Sequence, residues 1–295
     1  MTRGDLRALA RAATLVENRS ATGTELLRSL FHRTAKGVIF GITGPPGAGK
    51  STLVDQLTRA LRRQGKRVGI LAVDPTSPYS GGAILGDRIR MLDHYADTGV
   101  FIRSMASRGH LGGLASATMD LALLFQGAGI DVVLIETVGV GQDEVDIARV
   151  ADVTAVVLVP GMGDDVQAMK AGIMEIADVY FLNKADLPGA DRLEHELEGA
   201  FALSDGAAPP VVRCIASAGE GIDEALAALE AARANAPESR RIQHWALRLR
   251  EMVRERLAES ITPAQLRQAA EQVARGQRDP YSVVDELLKN KERVI

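Results

Sequence analysis

The stretch from Val38 to Thr52 constrains this chain more than any other. The apolar run Val38-Ile39-Phe40-Gly41-Ile42-Thr43 feeds Gly44-Pro45-Pro46-Gly47-Ala48-Gly49-Lys50-Ser51-Thr52, and Leu53, Leu57, Ala60 and Leu61 follow at helical spacing. Strand, glycine-rich turn of the form G-x-x-x-x-G-K-S, and helix make a phosphate-binding loop in its proper context. Gly44, Gly47 and Gly49 let the backbone wrap with its N–H groups inward, where side chains would obstruct a phosphate. The helix that starts here adds free N–H groups and a positive dipole end. Lys50 suits the β- and γ-phosphates, and the Ser51 hydroxyl suits Mg²⁺. The expectation is a nucleoside triphosphate site.

Strand-length runs recur at Val68–Val73, Val100–Ser104, Asp131–Glu136, Val153–Val159, Val179–Asn183 and Val211–Ile215, with helical patterns between them. Several are continuously apolar, as parallel strands covered on both faces are. The chain is therefore expected to be an α/β protein, a P-loop NTPase with a mostly parallel doubly wound sheet and its site at the carboxyl ends of the strands. Residues 1–35 read as helices broken at Ala21-Thr22-Gly23, residues 36–236 as the nucleotide domain, and residues 237–295 as a C-terminal helical arm. In that arm Ile242, Trp245, Leu249, Met252, Val253 and Leu257 form an apolar stripe that suits either core or oligomerisation.

Carboxylates and a base-reading motif fall just after the strand runs. Asn183-Lys184-Ala185-Asp186 suits guanine, because the Asp186 carboxylate can accept both N1–H and N2–H, a donor pair that adenine lacks. Ser217-Ala218-Gly219 follows the seventh run, where backbone N–H groups can complete a base pocket. Glu136-Thr137-Val138-Gly139 stands where many GTPases have D-x-x-G, with Gly139 available to a γ-phosphate. Glu136 is a longer acid, suited to a Mg²⁺-bound water. Asp74 and Asp87 can be helix caps or ligands around the same ion. Val140 occupies the place of the water-orienting glutamine of small GTPases, so slow basal hydrolysis is expected, with Gln142, Asp143, Arg108 or Lys170 as candidates for the missing group. His110 reads as a hydrogen-bonding loop residue.

The formal net charge of -3 gives no reason to expect nucleic acid or an anionic membrane as partner. No apolar run approaches the ~18 residues of a membrane span. The single cysteine, Cys214, sits in an apolar run and reads as a buried thiol. Arg3, Arg7 and Arg11 imitate an organellar presequence, but Asp5 and Glu17 argue against one, and a cytoplasmic protein is expected.

The motifs together resemble the MeaB/ArgK family of P-loop GTPases, accessory proteins of adenosylcobalamin-dependent acyl-CoA mutases such as methylmalonyl-CoA mutase. The resemblance is carried by GITGPPGAGKST, AVDPTSPYSGGAILGDRIRM, FIRSMASRGHLGGLA, ETVGVGQDEVDIA, PGMGDDVQAMKAGIMEIAD, NKAD and DPYSVVDELL, nearly the whole chain. It implies a metallochaperone that binds and hydrolyses GTP, protects the mutase and gates loading or removal of its cofactor. It implies a homodimer built through the C-terminal helices and a phosphate and Mg²⁺ site of Lys50, Ser51, Asp74, Asp87 and Glu136. It also implies a third switch segment from Pro160 to Lys170. No cobalamin-binding motif stands in the chain. The sequence departs from the family at its short N-terminus and at Ser104-Met105-Ala106. Two other readings compete. A nickel-insertion GTPase would be expected to carry a His-rich tract or a Cys-x-x-Cys pair, and the chain has five scattered histidines and one cysteine. A phosphotransferase linked to amino-acid transport would need a general base beside the γ-phosphate.

Overall fold

A computed structural model describes residues 5–75, 94, 96–107, 113–137, 146–161, 174–202 and 208–292. All seven expected runs are strands: β1 (Val38–Thr43), β2 (Val68–Pro75), β3 (Val100–Ser107), β4 (Val132–Thr137), β5 (Val153–Leu158), β6 (Val179–Asn183) and β7 (Val211–Cys214). They form one sheet in the order β3-β2-β4-β1-β5-β6-β7. Every strand pairing in it is parallel. Because β1 lies at the centre, the chain must build outward on one side of it and then on the other. The strand order therefore reverses beside β1, where a ligand crevice opens in such sheets.

Alternation along the strands divides the core between the two faces. Phe40 and Ile42 of β1 point toward α3 (Lys50–Arg63) and a helix at Ile222–Asn235. Ile39 of β1, with Val133 and Ile135 of β4, faces α1 (Leu6–Glu17) and α4 (Gly113–Gly127). On the β5 and β6 side, Val156, Tyr180 and Leu182 are covered by α5 (Ala190–Phe201). Burial under α5 pushes the Tyr180 hydroxyl up to about 12.

The N-terminal helices differ from expectation at one point. α1 ends at Glu17, Arg19 takes a positive φ of 51°, and Ser20 caps α2 (Ala21–Leu30) by accepting from the Gly23 amide at 3.0 Å. The break thus lies at Asn18-Arg19-Ser20, and Gly23 sits inside α2. Its lack of a side chain serves packing, since a Cβ there would fall 2.5 Å from the Leu15 carbonyl oxygen. Arg103 of β3 donates to Glu17, tying α1 to the edge strand.

The described chain forms two compact units, Met1–Arg241 and Ile242–Ile295. In the first, α6 (Ile222–Asn235) is followed by the opening turn of α7 (Glu238–Glu259). Arg240 in that turn grips the Asp178 carboxylate with both terminal nitrogens, one at 2.8 Å, while Asp178 also accepts the Thr154 amide at 2.8 Å. This latch lies at the amino ends of β5 and β6, away from the carboxyl-end crevice. The second unit holds the rest of α7 with α8 (Pro263–Ala274) and α9 (Pro280–Glu292). α8 opens on a reciprocal capping box between Thr262 and Gln265, with Pro263 at its first position. In the single chain, Ile242, Leu249, Met252, Val253 and Leu257 of α7 are exposed, as are Leu266, Tyr281 and Val284.

Candidate nucleotide site

The parallel sheet brings the carboxyl ends of β1, β4 and β6 to one edge, and the sequence motifs meet there. β1 is buried throughout and delivers the chain to Gly44. Gly44 has a φ of +138°, and a Cβ on it would lie 2.3 Å from the Val157 carbonyl oxygen, so β5 and the turn can approach this closely only at glycine. Gly49, at φ +87°, caps α3 without any side-chain hydrogen bond, leaving the amide end of that helix turned to the loop. Pro46 and Gly47 are exposed at the crest of the loop, whereas Pro45 and Ala48 are buried beneath it.

Lys50 is buried and arches back over the loop, its Nζ donating to the carbonyls of Gly44 at 2.7 Å and Pro45 at 2.9 Å. These bonds hold the ammonium group across the concave face of the loop. Ser51 donates its hydroxyl to Glu136 Oε1 at 2.5 Å. Glu136 is buried at the end of β4, and Thr52 lies exposed on the next turn position of α3. One residue beyond Glu136, Thr137 donates its hydroxyl to Thr43 Oγ1 at 2.9 Å, a buried contact.

Asn183 ends β6 and joins the two motifs. Its Nδ2 donates to the Ala48 carbonyl at 2.8 Å, and its Oδ1 accepts the Ala216 amide at 3.0 Å. One buried side chain therefore holds the phosphate-type loop on one side and the turn after β7 on the other. Lys184, at a positive φ of 55°, extends its Nζ to the Gly47 carbonyl at 3.0 Å. The Ala185 amide donates to Cys214 O at 3.1 Å, and Asp186, the next residue, is exposed. Ser217, Ala218 and Gly219 form an exposed turn in which the Ala218 amide donates to Ile215 O at 2.9 Å. Cys214 is buried at the base of this turn, and burial first and Glu224 second push its thiol up to about 12.

The remaining expected residues are less fully described. Asp74 is placed by its backbone, opposite Ala106 near the carboxyl end of β2. Asp87, Arg108, His110, Gly139, Val140, Gln142, Asp143 and Lys170 lie outside the described residues. Among the described residues no group of three or more His, Cys, Asp or Glu side chains could hold a metal ion. The hydroxyl of Ser51 and the carboxylate of Glu136 nevertheless form a hard oxygen pair at the mouth of the loop. That donor set fits Mg²⁺, which keeps several waters and takes its other ligands from phosphate oxygens. The links through Asn183, Lys184 and Thr43 carry no signal in the sequence beyond a base motif for the first two and a strand for the third.

Residues 9–266 match the family model of the methylmalonyl-CoA mutase-associated GTPase MeaB. The chain belongs to the MeaB family. It is a GTPase. A GTPase of Pyrococcus abyssi is 46% identical, the match covering 98% of this chain and 94% of that one. GTPase ArgK of Escherichia coli is 41% identical over 75% of this chain and 70% of its own length. The mouse mitochondrial methylmalonic aciduria type A homolog is 38% identical over 76% of this chain and 59% of its own. A solved structure described as a LAO/AO transport system kinase superposes on this MeaB member with a TM-score of 0.70 at 29% identity, covering 98% of this chain and 94% of that one. HypB from Helicobacter pylori in complex with nickel shares the fold alone, with a TM-score of 0.51 at 17% identity over 77% of this chain and 96% of its own.

Proposed function

We propose that this MeaB-family GTPase binds GTP with Mg²⁺ in the groove between the Gly44–Thr52 loop and the Asn183–Asp186 loop, and serves an adenosylcobalamin-dependent acyl-CoA mutase as a protective metallochaperone. The observation that carries the nucleotide reading is the Asn183 bridge, which couples Ala48 of the glycine-rich loop to Ala216 beside the exposed Asp186. A triphosphate wrapped by Gly44, Pro45, Pro46, Gly47, Ala48 and Gly49 has its base at Asp186, with Ser217, Ala218 and Gly219 on the pocket's edge. Lys184, lying along Gly47, walls the space between them. Lys50 supplies the positive charge that the β- and γ-oxygens need as the transferred group loosens.

Ser51 and Glu136 would hold the Mg²⁺, with Asp74 and Asp87 as further acids at the site. Bound there, the ion neutralises phosphate charge. Gly139, Arg108 and Lys170 are assigned to sensing or stabilising the γ-phosphate on the strength of their motifs. The mutase partner is supported by the family's description and by the mouse relative named for methylmalonic aciduria. A homodimer through α7 to α9 is supported by the exposed apolar stripe of Ile242, Leu249, Met252 and Val253. Among the described residues no helix is long and apolar enough to cross a membrane, and we place the protein in the cytoplasm.

The deciding experiment measures GTP hydrolysis by the purified chain alone and with each of a panel of adenosylcobalamin-dependent mutases, with ATP as control. A slow basal rate raised many-fold by one mutase establishes the accessory role. No stimulation by any of them removes the mutase reading. Transfer of ³²P from GTP to an amino acid or protein would support phosphotransfer instead.

A further inference from the structure

The end of β4 is tied to the flanks of the glycine-rich loop from both faces of the sheet. On one face Glu136 accepts from Ser51 at the start of α3, at 2.5 Å. On the other, the next residue, Thr137, donates to Thr43 Oγ1 at 2.9 Å. The register of β1 and β4 makes this possible, since Ile42 lies beside Glu136 and the two threonines are the next pair along. Thr43 and Thr137 are respectively 0% and 2% exposed, so water does not compete for the contact. Thr43 is also the last residue before Gly44, whose own position is fixed against β5 by the Val157 carbonyl.

From this we infer that the Thr43–Thr137 hydroxyl bridge is a positioning device for GTP hydrolysis: it sets the distance at which Glu136 meets Ser51, and so the alignment of β4 with the phosphate loop. The inference rests on the Gly44–Ser51 loop being the phosphate site. A hydrogen bond holds two oxygens at 2.9 Å, whereas two methyl groups approach no nearer than ~3.5–4.0 Å. Replacing the bridge by a methyl contact therefore moves the strand ends apart by about 1 Å. Displacements of that size cost up to about 100-fold in rate when catalysis depends on alignment, while ground-state phosphate contacts, made by loop amides and Lys50, survive.

The test uses the full chain and separates folding from positioning. Thr137→Val is nearly isosteric and removes the donor. It is expected to lower kcat roughly 10- to 100-fold with KM for GTP within about threefold, and to lower the melting temperature by leaving the buried Thr43 oxygen without its donor. Thr137→Ser keeps the hydroxyl and restores most of kcat. The double variant Thr43→Val/Thr137→Val has no unsatisfied oxygen, so its melting temperature returns toward the parent value while kcat stays low. If kcat recovers in the double variant together with the melting temperature, the bridge is only structural and the inference is overturned. Thr137→Val turning over GTP like the parent overturns it as well. Unchanged turnover in Lys50→Ala overturns the phosphate-site reading and the inference together.

Discussion

Removing the Asn183 side chain should separate the two halves of the nucleotide groove. Asn183→Ala deletes the donor to the Ala48 carbonyl and the acceptor of the Ala216 amide, both at hydrogen-bonding distance in the buried interior. Each backbone group then stays buried without its partner, at a cost of about 1–3 kcal/mol. The two together come to about 2–6 kcal/mol, and for a unit of this size each kcal/mol lowers the melting temperature by roughly 2–4 °C. A fall of about 4–24 °C in thermal melting without nucleotide is expected. GTP affinity, followed with a fluorescent GDP analogue, should drop in parallel, because loop and base turn no longer hold a common spacing. Asn183→Asp sharpens the comparison: it keeps an acceptor for Ala216 but sets a carboxylate against the Ala48 carbonyl, so it too should weaken GTP binding. An Asn183→Ala chain that melts within about 2 °C of the parent and binds GTP equally well would refute the bridge as the joint of the site.

Further outcomes follow from the same geometry. Lys50→Ala should abolish GTP binding or turnover, read by equilibrium binding and phosphate release. Asp186→Asn should shift preference from guanine toward xanthine nucleotides, because an amide donates where the carboxylate accepted; unchanged discrimination for GTP would refute that base assignment. Native Cys214, buried and with its thiol pushed up to about 12, should fail to react with a chromogenic disulfide at pH 8 and react once per chain after unfolding. The hydrogen bonds from Arg62, and then the Gly99 amide, hold the Asp97 carboxyl below its usual range. A lowered folded pKa stabilises the chain above the unfolded value of ~3.9 and is lost as pH falls through the folded one. Asp97→Asn should therefore flatten the acid limb of stability below about pH 4.

Strands β1, β4, β5 and β6 were legible because each is buried along its whole length and so is nearly continuously apolar, and Val179–Asn183 was readable to the residue. Their order was not, since neighbours across a parallel sheet are chosen by the crossovers and leave no local pattern. The helix break near residue 20 misled for a related reason. Gly23 looked like punctuation, yet it serves a close helix contact, and the true break needed Arg19 in a left-handed conformation that arginine seldom adopts. In the site, the glycine pattern and the Asn-Lys-Ala-Asp string pointed to function because their chemistry is tied to residue spacing. Thr43 and Thr137 carried no such signal. A strand threonine is compatible with many environments, and only register shows that two such hydroxyls meet.

The latch between Arg240 and Asp178 also bears on where the first compact unit of the chain can be cut. Asp178 precedes the strand that ends in Asn183, and its carboxylate anchors the Thr154 amide near the start of β5. A polypeptide stopped at Asn235 would keep all seven described strands and α6, yet it would strip the guanidinium from a largely buried carboxylate at the root of β6. A truncation that keeps the latch therefore extends through the first turn of α7 to Arg241, where the first compact unit ends, so the opening turn of the long helix belongs to that unit's foundation.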